Sequence, residues 1–282
     1  LTSGTLLATS PFVYSGALYN KDTTITLDGS LITFQAAADS ISITTGSGND
    51  TVKTGTDATL QGYASNTGSG MTISTGAGND TIEFGYGTLG AQSATQMFSI
   101  TGGKSVDTVK KTSGANSTVH AVTTTIFNFA DGDSVVGAYD TITGYETAGT
   151  SSGTHADNLA IGGTAAVGTS IGTVDFGTLK SHTLAHGEVG FDDADTHAAN
   201  VIINSSNLAD ATGYLNANLG VGTTVSFEYD STNNGSVDST FIFTNLASTA
   251  SSADTLILLK NTIGDRIVAD IDADTSGYIV IT

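Results

Sequence analysis

Residues 41–52 read ISITTGSGNDTV, residues 71–82 MTISTGAGNDTI and residues 98–109 FSITGGKSVDTV. The three segments align without a gap, with starts 30 and then 27 residues apart. Each carries an apolar alternation, a glycine turn, an aspartate, a threonine and a β-branched apolar residue. A weaker fourth copy, TTIFNFADGDSV, covers 124–135, a further 26 residues on. A near-constant period with strand–turn–strand content is the sequence form of a solenoid, because one copy cannot bury its apolar face alone. A rung of this length has room for three strands of roughly 5–6 residues. Stacking at about 4.8 Å per rung sets Asp50, Asp80, Asp107 and Asp133 in a column.

Carboxylates at that spacing repel one another unless something neutralises them. Calcium suits such an edge, since it takes six to eight oxygen ligands from carboxylates and carbonyls in forgiving geometry, whereas magnesium demands a stricter octahedron. Asn49 and Asn79 tolerate the left-handed backbone of tight turns. The wider composition agrees. The chain has 282 residues with 27 acidic against 8 basic side chains, a formal charge of −19. That field disfavours phosphate backbones and anionic lipid, so no nucleic-acid partner is expected. Hydrophobic residues make up 38% and charged residues only 12%, which reads as a folded chain rather than an acidic tail. Cysteine is absent, so disulfides cannot brace the loops and bound metal is the natural substitute. No apolar run reaches the length of a transmembrane helix.

Short β-branched runs recur between Gly, Asn, Asp and Ser, among them Thr23–Leu27, Ile41–Thr45, Met71–Thr75, Phe98–Thr101 and Thr123–Phe129. One helix is expected after Ser205-Ser206-Asn207, with Leu208, Ala211, Leu215 and Leu219 on one face and Gly220 closing it. A hairpin follows, with Phe227 and Tyr229 on one strand, Phe241 and Phe243 on the other, and residues 230–238 between. The small polar stretch 147–154 sets a boundary. It separates a repeat-containing, calcium-binding β domain at 1–148 from a mostly β domain at 149–282.

TGSGNDTVK (45–53) and TGAGNDTIE (75–83) resemble the calcium-binding nonapeptide of RTX proteins, whose pattern is G-G-x-G-x-D-x-U-x. The resemblance implies calcium loops at Gly46, Gly48, Asn49 and Asp50, and at Gly76, Gly78, Asn79 and Asp80. Here the nonapeptides stand apart rather than in tandem, which leaves a β-roll, a broader β-helix and a β-sandwich open. In the third copy Lys104-Ser105-Val106 stands in place of the loop's small residue, glycine and asparagine, so the site at Asp107 is expected to be weak. The segment 129–150, with Asp131 and Asp133, looks like the stretch that often succeeds RTX repeats. Residues 227–245 and 253–262 are similar to the C-terminal region of bacterial S-layer and related type I-secreted proteins. The family implies export unfolded, folding by calcium outside the cell, and residence at the bacterial cell surface.

Two further acidic groups are candidate metal ligands. Asp230, Asn234 and Asp238 follow half of an EF-hand-like pattern, whose bidentate Glu is replaced by Phe241. Asp270, Asp272 and Asp274 alternate and so share a strand face. Asp192, Asp193 and Asp195 form a looser group. Three catalytic look-alikes lack their context. Gly168-Thr-Ser170-Ile-Gly172 matches a nucleophile elbow without the strand and helix it needs. His182 and His186 have zincin spacing, but Thr183 stands where the glutamate belongs, and Gly103-Lys104-Ser105 has Phe98 where a phosphate loop starts with glycine. The expectation is therefore an all-β, non-enzymatic chain: a calcium-binding solenoid or β-roll-like half and a mostly β half with one short helix. It would be a structural part of a secreted surface layer whose partners are calcium and copies of itself. A calcium-dependent adhesin module and the non-catalytic tail of a secreted hydrolase are the rival readings.

Overall fold

The computed structural model describes residues 6–8, 12–27, 32–34, 40–54, 70–86, 96–113, 123–147, 157–161, 166–246, 254–260, 271–273 and 278–281. Its N-terminal part holds β1 (Leu6–Ala8), β2 (Phe12–Ser15), β3 (Thr24–Thr26), β4 (Ile32–Phe34), β5 (Ser40–Thr44) and β6 (Thr51–Lys53). There follow β7 (Gly70–Ala77), β8 (Thr81–Tyr86), β9 (Gln96–Lys104), β10 (Thr108–Ser113), β11 (Thr123–Phe129), β12 (Asp140–Thr143) and β13 (Asn158–Ile161). These strands wind as a parallel β-solenoid. One sheet runs β2-β5-β7-β9-β11-β13, a second β3-β6-β8-β10-β12, and β1 pairs with β4 on a third side. The three strands β4, β5 and β6 make one rung, as the repeat length requires.

The register matches the ungapped repeat. Ile41 stands against Met71 and Met71 against Phe98; Ile43, Ile73, Ile100 and Phe127 form the parallel column beside them. Across the interior, Ile25, Val52, Ile82, Val109 and Ile142 stack in the second sheet. All the Ile and Val residues of these columns, with Met71, Phe98 and Phe127, are buried. The alternation predicts this, since every second side chain of a strand faces inward. Each fully buried apolar side chain contributes about 1.5–3 kcal/mol, so the columns are the main source of cohesion. Outside, Lys53, Glu83 and Lys110 fall in register. Their exposed pairs at 2.7 and 3.7 Å add little beyond charge order.

The C-terminal part adds β14 (Ala166–Val167), β15 (Ser181–Ala185), β16 (Glu188–Asp192), α1 (Leu208–Asn218), β17 (Thr223–Tyr229), β18 (Ser239–Asn245), β19 (Thr255–Lys260), β20 (Ile271–Ala273) and β21 (Ile279–Ile281). The helix begins after Asn207, as the sequence implies, but the Asn207 side-chain oxygen accepts the N–H of Asn204 instead of capping the first turn. The expected hairpin is β17–β18, with Phe227 opposite Phe241 and Val225 opposite Phe243. Both sheets run across residue 148. β19 pairs in parallel with β12, and β21 pairs antiparallel with β13. One face of β18–β19, with Ile242, Ile257 and Leu259, therefore belongs to the solenoid core. The other, with Phe241, Phe243, Leu256 and Leu258, packs in a second core with Tyr214 and Leu215 of α1. This two-sided burial explains why β18 is buried along its whole length. Among the described residues no helix is long and apolar enough to cross a membrane.

The glycines of the repeat are set by rung-on-rung contact. Gly76 and Gly103 have φ of +95° and +102°, and a Cβ on either would intrude on the carbonyl oxygen of the rung before, Gly46 O and Gly76 O. Gly132 also has a positive φ, +82°, but open space where its Cβ would go. Gly103→Ala is expected to cost about 3 kcal/mol, from conformation and overlap together, and Gly132→Ala about 1–2 kcal/mol from conformation alone. Equal denaturation midpoints for the two variants would contradict the stacking account.

Candidate functional site: the aspartate column

The turns that link the two long sheets stack on one edge, and the Asn-Asp pairs wire that edge together. Asp50 N–H donates to Asp80 Oδ1 at 2.7 Å, Asp80 N–H to Asp107 Oδ1 at 2.8 Å, and Asp107 N–H to Asp140 Oδ1 at 2.8 Å. Thr23 N–H donates to Asp50 Oδ1 at 2.7 Å and opens the series. The side chains one position earlier, Asp22, Asn49 and Asn79, accept in the opposite direction. Asn49 N–H donates to Asp22 Oδ1 at 2.9 Å, Asn79 N–H to Asn49 Oδ1 at 2.8 Å, and Val106 N–H to Asn79 Oδ1 at 3.2 Å. Between the rungs of Asp50 and Asp80 the two bonds are reciprocal, one from each rung. The third copy needs no asparagine to receive its bond, because Asn79 supplies the acceptor; Val106 simply ends that series. Threonines add an inner line: Thr45 Oγ1 donates to Thr75 O at 2.8 Å and Thr75 Oγ1 to Gly102 O at 2.9 Å.

The fourth place in the column belongs to Asp140, not to Asp133. β11 pairs one residue out of the expected alignment, Thr125 against Phe98, and the turn after it is longer, spanning 130–139 with its own Val135–Ala138 bridge. Asp133 instead closes that turn, accepting the Ala130 N–H at 2.8 Å, while Asp131 is exposed. Sequence reading also misses the first rung. Its turn, residues 16–23, lacks the Gly-Asn-Asp signature, and the only local clue is Asp22-Thr23 before an apolar alternation.

The carboxylates of Asp50, Asp80, Asp107 and Asp140 are all buried. Asp50 spends its second oxygen on Gly46 N–H at 3.2 Å. The Oδ2 atoms of Asp80 and Asp107 are buried with no hydrogen-bond partner. Burial is the main cause that pushes Asp80 up to about 6, Asp107 to about 7 and Asp140 to about 9, with charge from neighbouring aspartates adding to it. A lone pair buried without a donor costs about 1–3 kcal/mol and more for a charged group, so these oxygens call for a proton or a cation. The donors here are hard carboxylate oxygens, which fit calcium chemistry. Among the described residues no three acidic or histidine side chains converge on one point.

The other acidic candidates are placed differently. Asp230 turns into its own loop: Oδ1 accepts Asn234 N–H at 3.2 Å and Oδ2 Gly235 N–H at 2.7 Å. Asp238 accepts Ser231 N–H at 2.9 Å, so Asp230, Asn234 and Asp238 come together in one tied hairpin tip. Asp192 likewise accepts the N–H groups of Ala194, Ala198 and Ala199, which hold its carboxyl far below the usual range. Asp270, Asp274 and the side chain of Asp272 lie outside the described residues. Ser170 comes after β14 in an irregular segment that leads to no helix. His182 lies on strand β15 and His186 in the turn after it with φ +48°, so they share no helical face.

Raised carboxyl pKa values mean that folding takes up protons. Without a cation the folded state is favoured at pH 4 and loses that advantage as pH rises through about 6, 7 and 9. The lowered groups Asp192, Asp230 and Asp238 act the other way, but only below their ordinary value of 3.8. In chelator the melting temperature is therefore expected to be about 5–10 °C higher at pH 4.5 than at pH 8, and Asp107→Asn is expected to narrow the gap. A melting temperature that rises with pH over this window would show that the column is not the controlling group.

Comparison with known protein families, with curated proteins and with solved structures finds no match to this chain.

Proposed function

We propose that this chain is a non-enzymatic structural module of a secreted bacterial surface layer, folded and assembled by calcium along its Gly-Asn-Asp edge. The observation that carries the reading is the column of buried carboxylates in which Asp80 and Asp107 each keep an unpartnered oxygen. A divalent cation with oxygen preference would satisfy those atoms and cancel the repulsion along the stack. Asp50, Asp80, Asp107 and Asp140 are the residues that would hold it. The resemblance of 45–53 and 75–83 to RTX nonapeptides points the same way, as does the formal charge of −19.

Assembly is supported by the ends of the sheets. Among the described residues β2 and β3 are terminal strands, and the first rung exposes Val13, Leu18 and Tyr19, Leu18 almost fully at 99%. Open backbone edges and apolar side chains are where copies of a β protein add to one another, and lysine, the usual guard, is scarce.

Calcium is expected to raise the melting temperature at pH 8 more than magnesium does, and excess chelator to reverse it. Asp80→Asn is expected to weaken calcium binding about tenfold, or about 1.4 kcal/mol, by calorimetry. Light scattering during a calcium titration reports assembly. An unchanged melting curve in calcium and chelator removes the calcium reading, and a compact monomer at saturating calcium moves the choice to the adhesin module.

A further inference from the structure

The inward columns of the solenoid sheets are apolar, Thr54 apart, until the rung of β10, where charge enters. The second inward column of that sheet runs Leu27, Thr54 and Phe84, and then Lys111, which stands in register with Phe84. On the facing sheet the column Ile41, Met71, Phe98 continues as Thr125 and then Asp157, the residue that precedes Asn158 of β13. A lysine and an aspartate thus occupy core positions on opposite walls and meet in the middle. Lys111 Nζ lies 2.7 Å from Asp157 Oδ1 and 2.9 Å from Oδ2, and 3.0 Å from Glu146 Oε2. The Lys111 side chain has no exposure at all, and the two carboxylates 1% and 9%.

Other contacts fix the aspartate. Its Oδ2 accepts Glu146 N–H at 2.9 Å, its Oδ1 accepts Thr125 N–H at 3.3 Å, and the Tyr145 hydroxyl donates to its carbonyl. An aromatic layer of Phe84, Phe98, Phe127 and Tyr145, with ring centroids 6.0–6.3 Å apart, shuts the group off from water. Charged groups are costly to hold inside this layer. Such a site favours moving the proton from Lys111 onto Asp157, to give a neutral amine beside a carboxylic acid. Burial raises the Asp157 carboxyl in the same sense.

We infer that Lys111 and Asp157 are the reactants of an internal amide (isopeptide) cross-link, with Glu146 as the catalytic residue that moves the proton. Rotation of the Asp157 carboxyl turns its face to Nζ, and the amine adds to Cγ. The Glu146 N–H on Oδ2 stabilises the charge that develops there. The Glu146 carboxylate takes a proton from the attacking nitrogen and delivers it to the Asp157 hydroxyl, which leaves as water. One C–N bond forms, one C–O bond breaks, one water departs, and nothing is oxidised or reduced. Holding the groups in contact replaces the activation that amide formation otherwise needs. The bond would join β10 to the start of β13 across the core and close 46 residues of chain. It would act as a disulfide does, in a sequence without cysteine.

The test is the intact mass of the full chain under denaturing conditions. The expected mass is one water below that of the sequence. Tryptic digestion is expected to skip Lys111 and yield one looped peptide, residues 111–180, that is one water lighter than its sequence. Glu146→Gln and Lys111→Arg are each expected to restore the full sequence mass. A wild-type chain of full mass with Lys111 cleaved overturns the proposal, whatever the variants do. So does a missing water that maps to any other residue, and a Glu146→Gln chain that is still cross-linked removes Glu146 from the reaction.

Discussion

Parallel stacking sets each residue of one rung upon its equivalent in the next, so any chemistry placed in the repeat is multiplied along an axis. Apolar positions gain from this, and Ile43, Ile73 and Ile100 build a continuous wall. Glycine becomes obligatory wherever turn backbones touch, as at Gly76 and Gly103. Acidic positions become a liability. Aspartate is tolerated on this edge because each carboxylate receives an amide from the preceding rung, and asparagine provides the same bond in the other direction. The residual cost sits on the second oxygens of Asp80 and Asp107.

Most of this is legible in the sequence where the repeat is regular. The two Gly-Asn-Asp loops and the FSITGGKSVDTV segment align without gaps, and the structure keeps that register. The rung length, the helix at Leu208–Asn218 and the β17–β18 hairpin are also accessible, since each rests on local periodicity and turn chemistry. Legibility fails where a turn changes length. The segment 130–139 carries extra residues, so a one-residue slip and an attractive Asp133 hide the true fourth member, Asp140. The first rung is hidden for the same reason, its turn being longer and without the asparagine-aspartate pair.

The buried polar group at Lys111 leaves a trace in the sequence that the motif alignment stops short of. Extending the ungapped alignment two residues past each copy gives Thr54, Phe84 and Lys111, and a lysine in an inward-facing column is the signal. Asp157 cannot be found that way, because its rung lies beyond the residues on which the repeat loses its shape. The C-terminal half shows a related limit. Its strands read as a separate unit by composition, yet β19 and β21 pair directly with solenoid strands, a long-range pairing that local pattern does not encode.

The proportions of the rung have a mechanical consequence. A rung adds only about 4.8 Å to the height of the stack. The chain wound into it, 27 residues between the starts of the second and third copies, spans roughly 90 Å when drawn straight. Tension along the axis that peels one rung therefore releases nearly twenty times the length that rung occupied. A stack of such coils would yield in steps under load, each rung serving as a spool of slack.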